Sequence, residues 1–203
     1  MTTAQPTPLQ ILIVIGSARA GSFNAKLAHA AAAVVRSAGH QATVFDSQVL
    51  RLPVYDAGIE ATSGVPDGAQ QLLDAVIASD GVLVVSPEYN GFPPPLLVNA
   101  LDWLSRIAAQ GARVAGIAAT TSKPTALLSA SPGPLGGLRA MTTLRQFLQM
   151  GFQMLVVPQQ FALGKAQDAF DAQGALADAK AAGAVAGVVQ ALLALASSQR
   201  KAG

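Results

Sequence analysis

No cysteine occurs among the 203 residues, which excludes disulfides, thiolate metal sites and cysteine nucleophiles and is compatible with the cytoplasm. Histidine is nearly as scarce. His29 and His40 fall within and just after the first predicted helix, outside any catalytic motif, and are read as surface or packing residues. Neither a histidine triad nor a metal site is expected. Charge is thin as well: 12% of residues are charged, 13 basic against 11 acidic, for a net +2. Without a Lys/Arg run, nucleic-acid binding has no electrostatic footprint. The opening MTTAQPTPLQ has neither a basic region nor an apolar core and is expected not to act as a signal peptide. The most membrane-like stretch, Ala181–Ala196, is shorter than the roughly 20 residues of a spanning helix and contains Gln190. Val185, Val188, Val189, Leu192 and Leu193 recur there at helical spacing, which predicts a core-packing helix and no membrane partner.

The length suits one domain, 1–203, with a core large enough to need no staple; residues 1–8 are expected to be flexible and 198–203 to form a tail. What is present concentrates first in Ile11–Asn24, ILIVIGSARAGSFN. Ile11 to Ile15 has the apolar, β-branched character of a strand covered on both faces, as in parallel sheets flanked by helices. Gly16 then allows a close turn. Ser17, Ser22 and Asn24 supply short polar groups, Arg19 adds a fixed positive charge, and a helix starting near Ser22 points its free N–H groups at the same place. The combination suits a phosphate monoester. Neither G-x-G-x-x-G nor G-x-x-x-x-G-K-[ST] is matched, and the hydroxyl-rich loop is closer to one that holds a flavin mononucleotide phosphate. The plainer alternative is an ordinary strand–turn–helix in which Ser22 only caps the helix.

Further along, Ala25–Ser37 reads as a helix with Leu27, Ala31, Val34 and Val35 on one side, ended by Gly39. Residues 41–46 form a short strand, followed by an irregular stretch through LPVYD at 52–56 to Pro66. Leu72, Leu73, Val76 and Ile77 mark a second helix, and Gly81–Ser86 is another fully apolar strand. A third helix follows Pro95. Either 113–119 or 125–129 is the fourth strand; the second is favoured because it runs into SPGPLGG, which opens a helix over 135–150. Residues 108–123 then form a long connector, and 153–157 the fifth strand. Strands alternating with helices at these intervals imply right-handed βαβ crossovers and so an α/β, mostly parallel, doubly wound sheet, here of five strands with helices on both faces. In the flavodoxin-like order 2-1-3-4-5 of such sheets, the ligand lies at the reversal between strands 1 and 3. The loops 16–24 and 86–92 are placed there.

Ser86-Pro87-Glu88-Tyr89-Asn90-Gly91 is followed by Pro93, Pro94 and Pro95, which stiffen the backbone and remove N–H donors. Such a loop suits the wall of a flat ring, with Tyr89 offering an aromatic face and Asn90 reaching heteroatoms; in the plainer alternative Glu88 is only solvated. Ser129-Ala130-Ser131-Pro132-Gly133 brings small residues to a third strand end, where backbone can approach a cofactor closely.

On these loops the chain resembles the NADPH-dependent FMN reductase family, flavodoxin-like flavoproteins that include quinone and chromate reductases. The matching stretches are GSARAGSFN at 16–24, LPVYDA at 52–57, SPEYNG at 86–91, NALDWLSR at 99–106 and SASPGPLGGLRA at 129–140. The resemblance implies that Ser17, Arg19, Ser22, Phe23 and Asn24 surround the phosphate and ribityl chain of FMN. Pro87, Glu88, Tyr89 and Asn90 would border the isoalloxazine, and Ala130 and Ser131 its other edge. It also implies NADPH or NADH as co-substrate, a small-molecule acceptor such as a quinone or free flavin, and a homodimer or homotetramer. Three departures bear on the ring side: Val98 where the family often has lysine, the triple proline, and the long connector.

The cofactor carries the difficult chemistry in such a reaction, which agrees with a chain free of cysteine and of paired catalytic carboxylates. Two other readings of the same residues are a flavodoxin-like electron carrier and a non-catalytic flavin-binding regulatory protein. The near balance of acidic and basic residues argues against the acidic docking face of a carrier.

Overall fold

Five strands form one all-parallel sheet in the order β2-β1-β3-β4-β5. A computed structural model describes residues 7–202. Its elements are β1 (Gln10–Ile15), α1 (Phe23–Ser37), β2 (Gln41–Val44), α2 (Ala57–Ser63), α3 (Asp67–Ile77), β3 (Gly81–Val85), α4 (Pro95–Ser105), α5 (Gly116–Thr120), β4 (Pro124–Ala130), α6 (Leu138–Gly151), β5 (Leu155–Leu163) and α7 (Ala179–Ala202). The fourth strand is therefore the second of the two candidates, and the first overlaps α5.

Period-two alternation splits the strands between two cores. Ile11, Ile13, Ile15, Leu83, Val85, Ala126 and Leu128 face α1 and α7. Leu12, Val14, Val82, Val84 and Leu127 face α3, α4 and α6 on the other side. The C-terminal helix lays Val185, Val188, Val189 and Leu192 on the first core, all nearly inaccessible. Its residues 179–200 are long and apolar enough to cross a membrane by length and composition alone, a test that a core helix also passes; its apolar stripe is turned to the sheet.

Three expectations need correction. The irregular stretch 47–66 contains α2, which buries no residue and so leaves no apolar periodicity to read; Asp56 starts it by accepting from the Gly58 and Ile59 N–H groups at 2.7 and 3.1 Å. The fifth strand runs to Leu163 rather than Val157. Its register slips where Thr125 pairs with Val156 but Leu127 with Gln160, around Pro158, which has no N–H for the ladder. Arg145 of α6 bridges this break, donating to the Val157 carbonyl and Gln160 Oε1, both at 2.8 Å. Finally, residues 198–202 continue α7 instead of forming a tail. Of the segment 1–8, residues 1–6 lie outside the described residues, as does Gly203. Thr7 is tied to α7 by Arg200, which donates to its carbonyl at 2.7 Å.

Candidate active site

The first loop leaves β1 at Gly16, whose N–H donates to the Val85 carbonyl at 2.9 Å and so extends the β1–β3 ladder by one rung. A Cβ there would stand 3.1 Å from both Pro94 Cγ and Ser86 Oγ, so any larger residue would push the first two loops apart by a few tenths of an ångström. Ser22 caps α1, its Oγ accepting from the Asn24 N–H at 3.2 Å. The cap assigned by the plainer alternative is therefore present, and it also aims the positive end of α1 along the loop. Arg19 reaches over the Phe23 ring at 5.6 Å. From the turn after β2, Gln48 and Arg51 donate to the Ala18 carbonyl at 2.8 and 3.2 Å.

The second loop is a miniature hairpin. Tyr89 and Phe92 exchange backbone hydrogen bonds of 2.9 and 3.0 Å around Asn90 and Gly91, both with positive φ. Asn-Gly is the pair that such a tight turn requires. Asn90 is thus exposed at a turn, and the cavity wall does not include it. Glu88 turns instead toward α6. Arg139 donates to its carboxylate through Nε at 2.8 Å and through a second guanidinium nitrogen, and the Ala140 N–H approaches at 3.4 Å. The helix starts at Gly137, which has no capping side chain, so Glu88 supplies the missing acceptor. Burial raises the Glu88 pKa, but the hydrogen bonds from Arg139 and the Ala140 N–H outweigh it and hold the group below its ordinary value.

Asn24 connects the first loop to the third. Its Nδ2 donates to the Ala130 carbonyl and its Oδ1 accepts from the Ala130 N–H, each at 2.9 Å. Beyond Ala130, the Ser131 N–H donates to the Leu163 carbonyl at 3.0 Å, so β5 steadies this loop from the far side.

The three loops enclose a cavity of about 180 Å³ at the carboxyl edge of the sheet. Its wall contains Ser17, Arg19, Ser22, Phe23, Asn24, Pro87, Glu88, Tyr89, Ala130 and Ser131, which is every predicted residue except Asn90, together with Pro132. Roomier cavities of about 340 and 360 Å³ lie elsewhere; what distinguishes this one is its donor set. Arg19, two serine hydroxyls and a helix N-terminus suit a phosphate dianion, and the one carboxylate in the wall is already occupied by Arg139. Tyr89 and Phe92, 53% and 63% exposed, extend the site outward as aromatic surface.

Sequence reasoning missed Gln48, Arg51 and Arg139. Arg139 stands inside the quoted stretch 129–140, but its partner is 51 residues away and no local signal marks it. Gln48 and Arg51 lie in the stretch read as irregular.

A 2-1-3-4-5 parallel sheet with this cavity at the β1/β3 reversal defines a flavodoxin-like nucleotide-binding protein. More specifically, the chain belongs to the NADPH-dependent FMN reductase family, whose profile matches residues 9–168. It is 34% identical over 165 residues to a quinone reductase of Escherichia coli K12, covering 81% of this chain and 82% of the relative. An NAD(P)H-dependent FMN reductase of Pseudomonas aeruginosa is 33% identical over 184 residues, 91% and 93% of the two chains. Among solved structures, the flavoenzyme NAD(P)H:(acceptor) oxidoreductase FerB of Paracoccus denitrificans superposes with a TM-score of 0.75 at 25% identity, covering 94% of this chain and 98% of that one. The protein is accordingly an oxidoreductase whose cofactors are FMN and NAD(P)H.

Proposed function

We propose that this enzyme reduces a quinone, or a similarly small acceptor such as free flavin, with NADPH or NADH, working in the cytoplasm as a homodimer or homotetramer. When bound, FMN would supply the redox chemistry, with hydride from the nicotinamide taken up at its N5 and electrons passed on to the acceptor. The chain contributes position and charge. Arg19, the Ser17 hydroxyl and the start of α1 hold the phosphate, Phe23 shields that corner, and Ser22 orients the helix. Pro87 and Tyr89 form the wall beside the ring, with the backbone of Ala130 and Ser131 at its other edge. The glutamate and asparagine of the signature take supporting roles: Glu88 fixes the wall to α6, and Asn90 makes the turn that presents Tyr89. The observation that carries the reading is the convergence of ten of the eleven expected residues, from three loops, on one cavity at the strand-order reversal.

The test begins with protein supplied with FMN and desalted, followed by anaerobic NADPH and, separately, NADH. A retained flavin band bleached by either nucleotide is expected, with oxidation restored by a benzoquinone. No retained flavin, or flavin that neither nucleotide reduces, would overturn the reading. Arg19→Ala is expected to weaken FMN binding in a fluorescence titration, and unchanged affinity would remove Arg19 from the phosphate site.

A further inference from the structure

The Ala18 carbonyl lies in the middle of the phosphate loop, where an inward-facing oxygen would repel an anion. Two donors from another part of the chain hold it. Gln48 Nε2 lies 2.8 Å from it and an Arg51 guanidinium nitrogen 3.2 Å, while Arg51 Nε donates to Gln48 Oε1 at 2.8 Å and joins the two side chains. Both side chains are exposed, and the turn that carries them is tied down. The Gln48 N–H is bound by Asp46 Oδ1 at 2.9 Å, the Arg51 N–H by the Gln48 carbonyl at 3.1 Å, and Leu50 between them is fully buried. In a trans peptide the carbonyl of one residue and the N–H of the next point in opposite directions. Holding the Ala18 oxygen toward the β2 turn therefore directs the Arg19 N–H the other way, toward Oγ of the cavity-wall residue Ser17, which it meets only at a loose 3.4 Å. Neither Gln48 nor Arg51 lines the cavity.

We infer that Gln48 and Arg51 are positioning residues that preset the phosphate loop, turning the Ala18 carbonyl out and the Arg19 amide in, so that the site favours phosphorylated over unphosphorylated flavin. This rests on the FMN reading above. Its signature is a change in discrimination, because riboflavin has the same ring without the phosphate.

The experiment titrates apoprotein with FMN and with riboflavin by flavin fluorescence, using wild type, Gln48→Met and Arg51→Met, with far-UV circular dichroism to confirm folding. Gln48→Met keeps side-chain length and alters no charge. Each variant is expected to lose roughly 5- to 10-fold in FMN affinity, as for one well-placed hydrogen bond to a charged ligand site, with riboflavin affinity unchanged. Hydrogen exchange at residues 18–20 should accelerate in both variants while β1 keeps its protection. FMN affinity unchanged in Gln48→Met overturns the inference, even if Arg51→Met is impaired, since Arg51 would then act as a bare charge. An equal loss for both flavins overturns it too, by placing the effect at the ring or in the fold. Failure of wild type to bind either flavin would instead overturn the FMN reading itself, and the inference with it.

Discussion

Asn24 and Ala130, 106 residues apart in the chain, exchange two hydrogen bonds of 2.9 Å in the interior, amide edge against peptide edge. The contact sets the spacing between the start of α1 and the end of β4, and hence between the two ends of the cavity. It engages Oδ1 and one of the two Nδ2 hydrogens of Asn24, and so fixes the orientation of its amide in the cavity wall.

Asn24→Ala strips the Ala130 N–H and carbonyl of their partners at once. The expected cost is about 2–3 kcal/mol of stability, given ~1–3 kcal/mol for leaving a buried polar group unsatisfied. Urea denaturation measures it, and FMN affinity should fall in parallel. An unchanged denaturation midpoint would show that the pair carries no weight.

Glu88 yields a pH prediction. Burial raises its pKa and Arg139 and the Ala140 N–H lower it, with the net result below the ordinary 4.5. A depressed folded-state value means that the ionised group stabilises the fold above the unfolded pKa, and that this contribution fades as pH falls through the folded one. Wild type should therefore be more stable than Glu88→Gln at neutral pH, and the gap should close below pH 4.5. Paired urea titrations across pH 3–7, an interval set around the ~4.3 of a free glutamate, would refute this if the gap stayed constant.

Two glycines with positive φ separate backbone strain from crowding. Gly21 (φ +65°) has open space where a Cβ would go, whereas a Cβ on Gly136 (φ +62°) would stand 2.6 Å from the Ala162 carbonyl carbon and 2.7 Å from backbone atoms of Leu163 and Gly164. Gly21→Ala should cost only the ~1–2 kcal/mol of a left-handed L-residue. Gly136→Ala should cost clearly more, because backbone atoms cannot rotate aside. Thermal melting ranks them, and the reverse order would be evidence against the packing of Gly136 on the end of β5.

Asn99 and Trp103 of α4 clasp the LPVYD segment. Asn99 Oδ1 accepts from the Tyr55 N–H at 2.8 Å, and Asn99 Nδ2 and Trp103 Nε1 both donate to the Pro53 carbonyl, at 2.9 and 2.7 Å. Asn99→Ala should loosen residues 52–56 locally by about 1–3 kcal/mol. Limited proteolysis near Val54, which is 81% exposed, should then quicken without a matching fall in global stability. A cleavage rate equal to wild type would assign the clasp to Trp103 alone.

Two of the five stretches behind the family resemblance, LPVYDA and NALDWLSR, meet in that clasp, so their fit reflects scaffold more than chemistry. The loops 16–24, 86–91 and 129–133 were legible because each combines a strand's end with turn residues of known geometry. Asn90 illustrates an ambiguity of local sequence: Asn-Gly is equally a polar pair and a tight turn, and the Tyr89–Phe92 bridge shows that the turn is present. Helix α2 escaped because it has no buried face, and the length of β5 because Pro158 reads as a strand breaker until Arg145 is seen to bridge the irregularity.

Apolar runs, helical periods and turn residues act between near neighbours, so the sequence by itself determined a doubly wound parallel sheet and the three loops at its strand ends, while the family resemblance supplied much of the cavity wall. Polar partnerships across 30 to 106 residues depend on where strand ends come to rest, and no local pattern encodes that distance. Tertiary structure alone decided that Asn24 holds Ala130, that Glu88 serves α6, and that Gln48 and Arg51 turn the Ala18 carbonyl away from the cavity. A side-chain donor or acceptor takes whichever partner the folded backbone brings within about 3 Å.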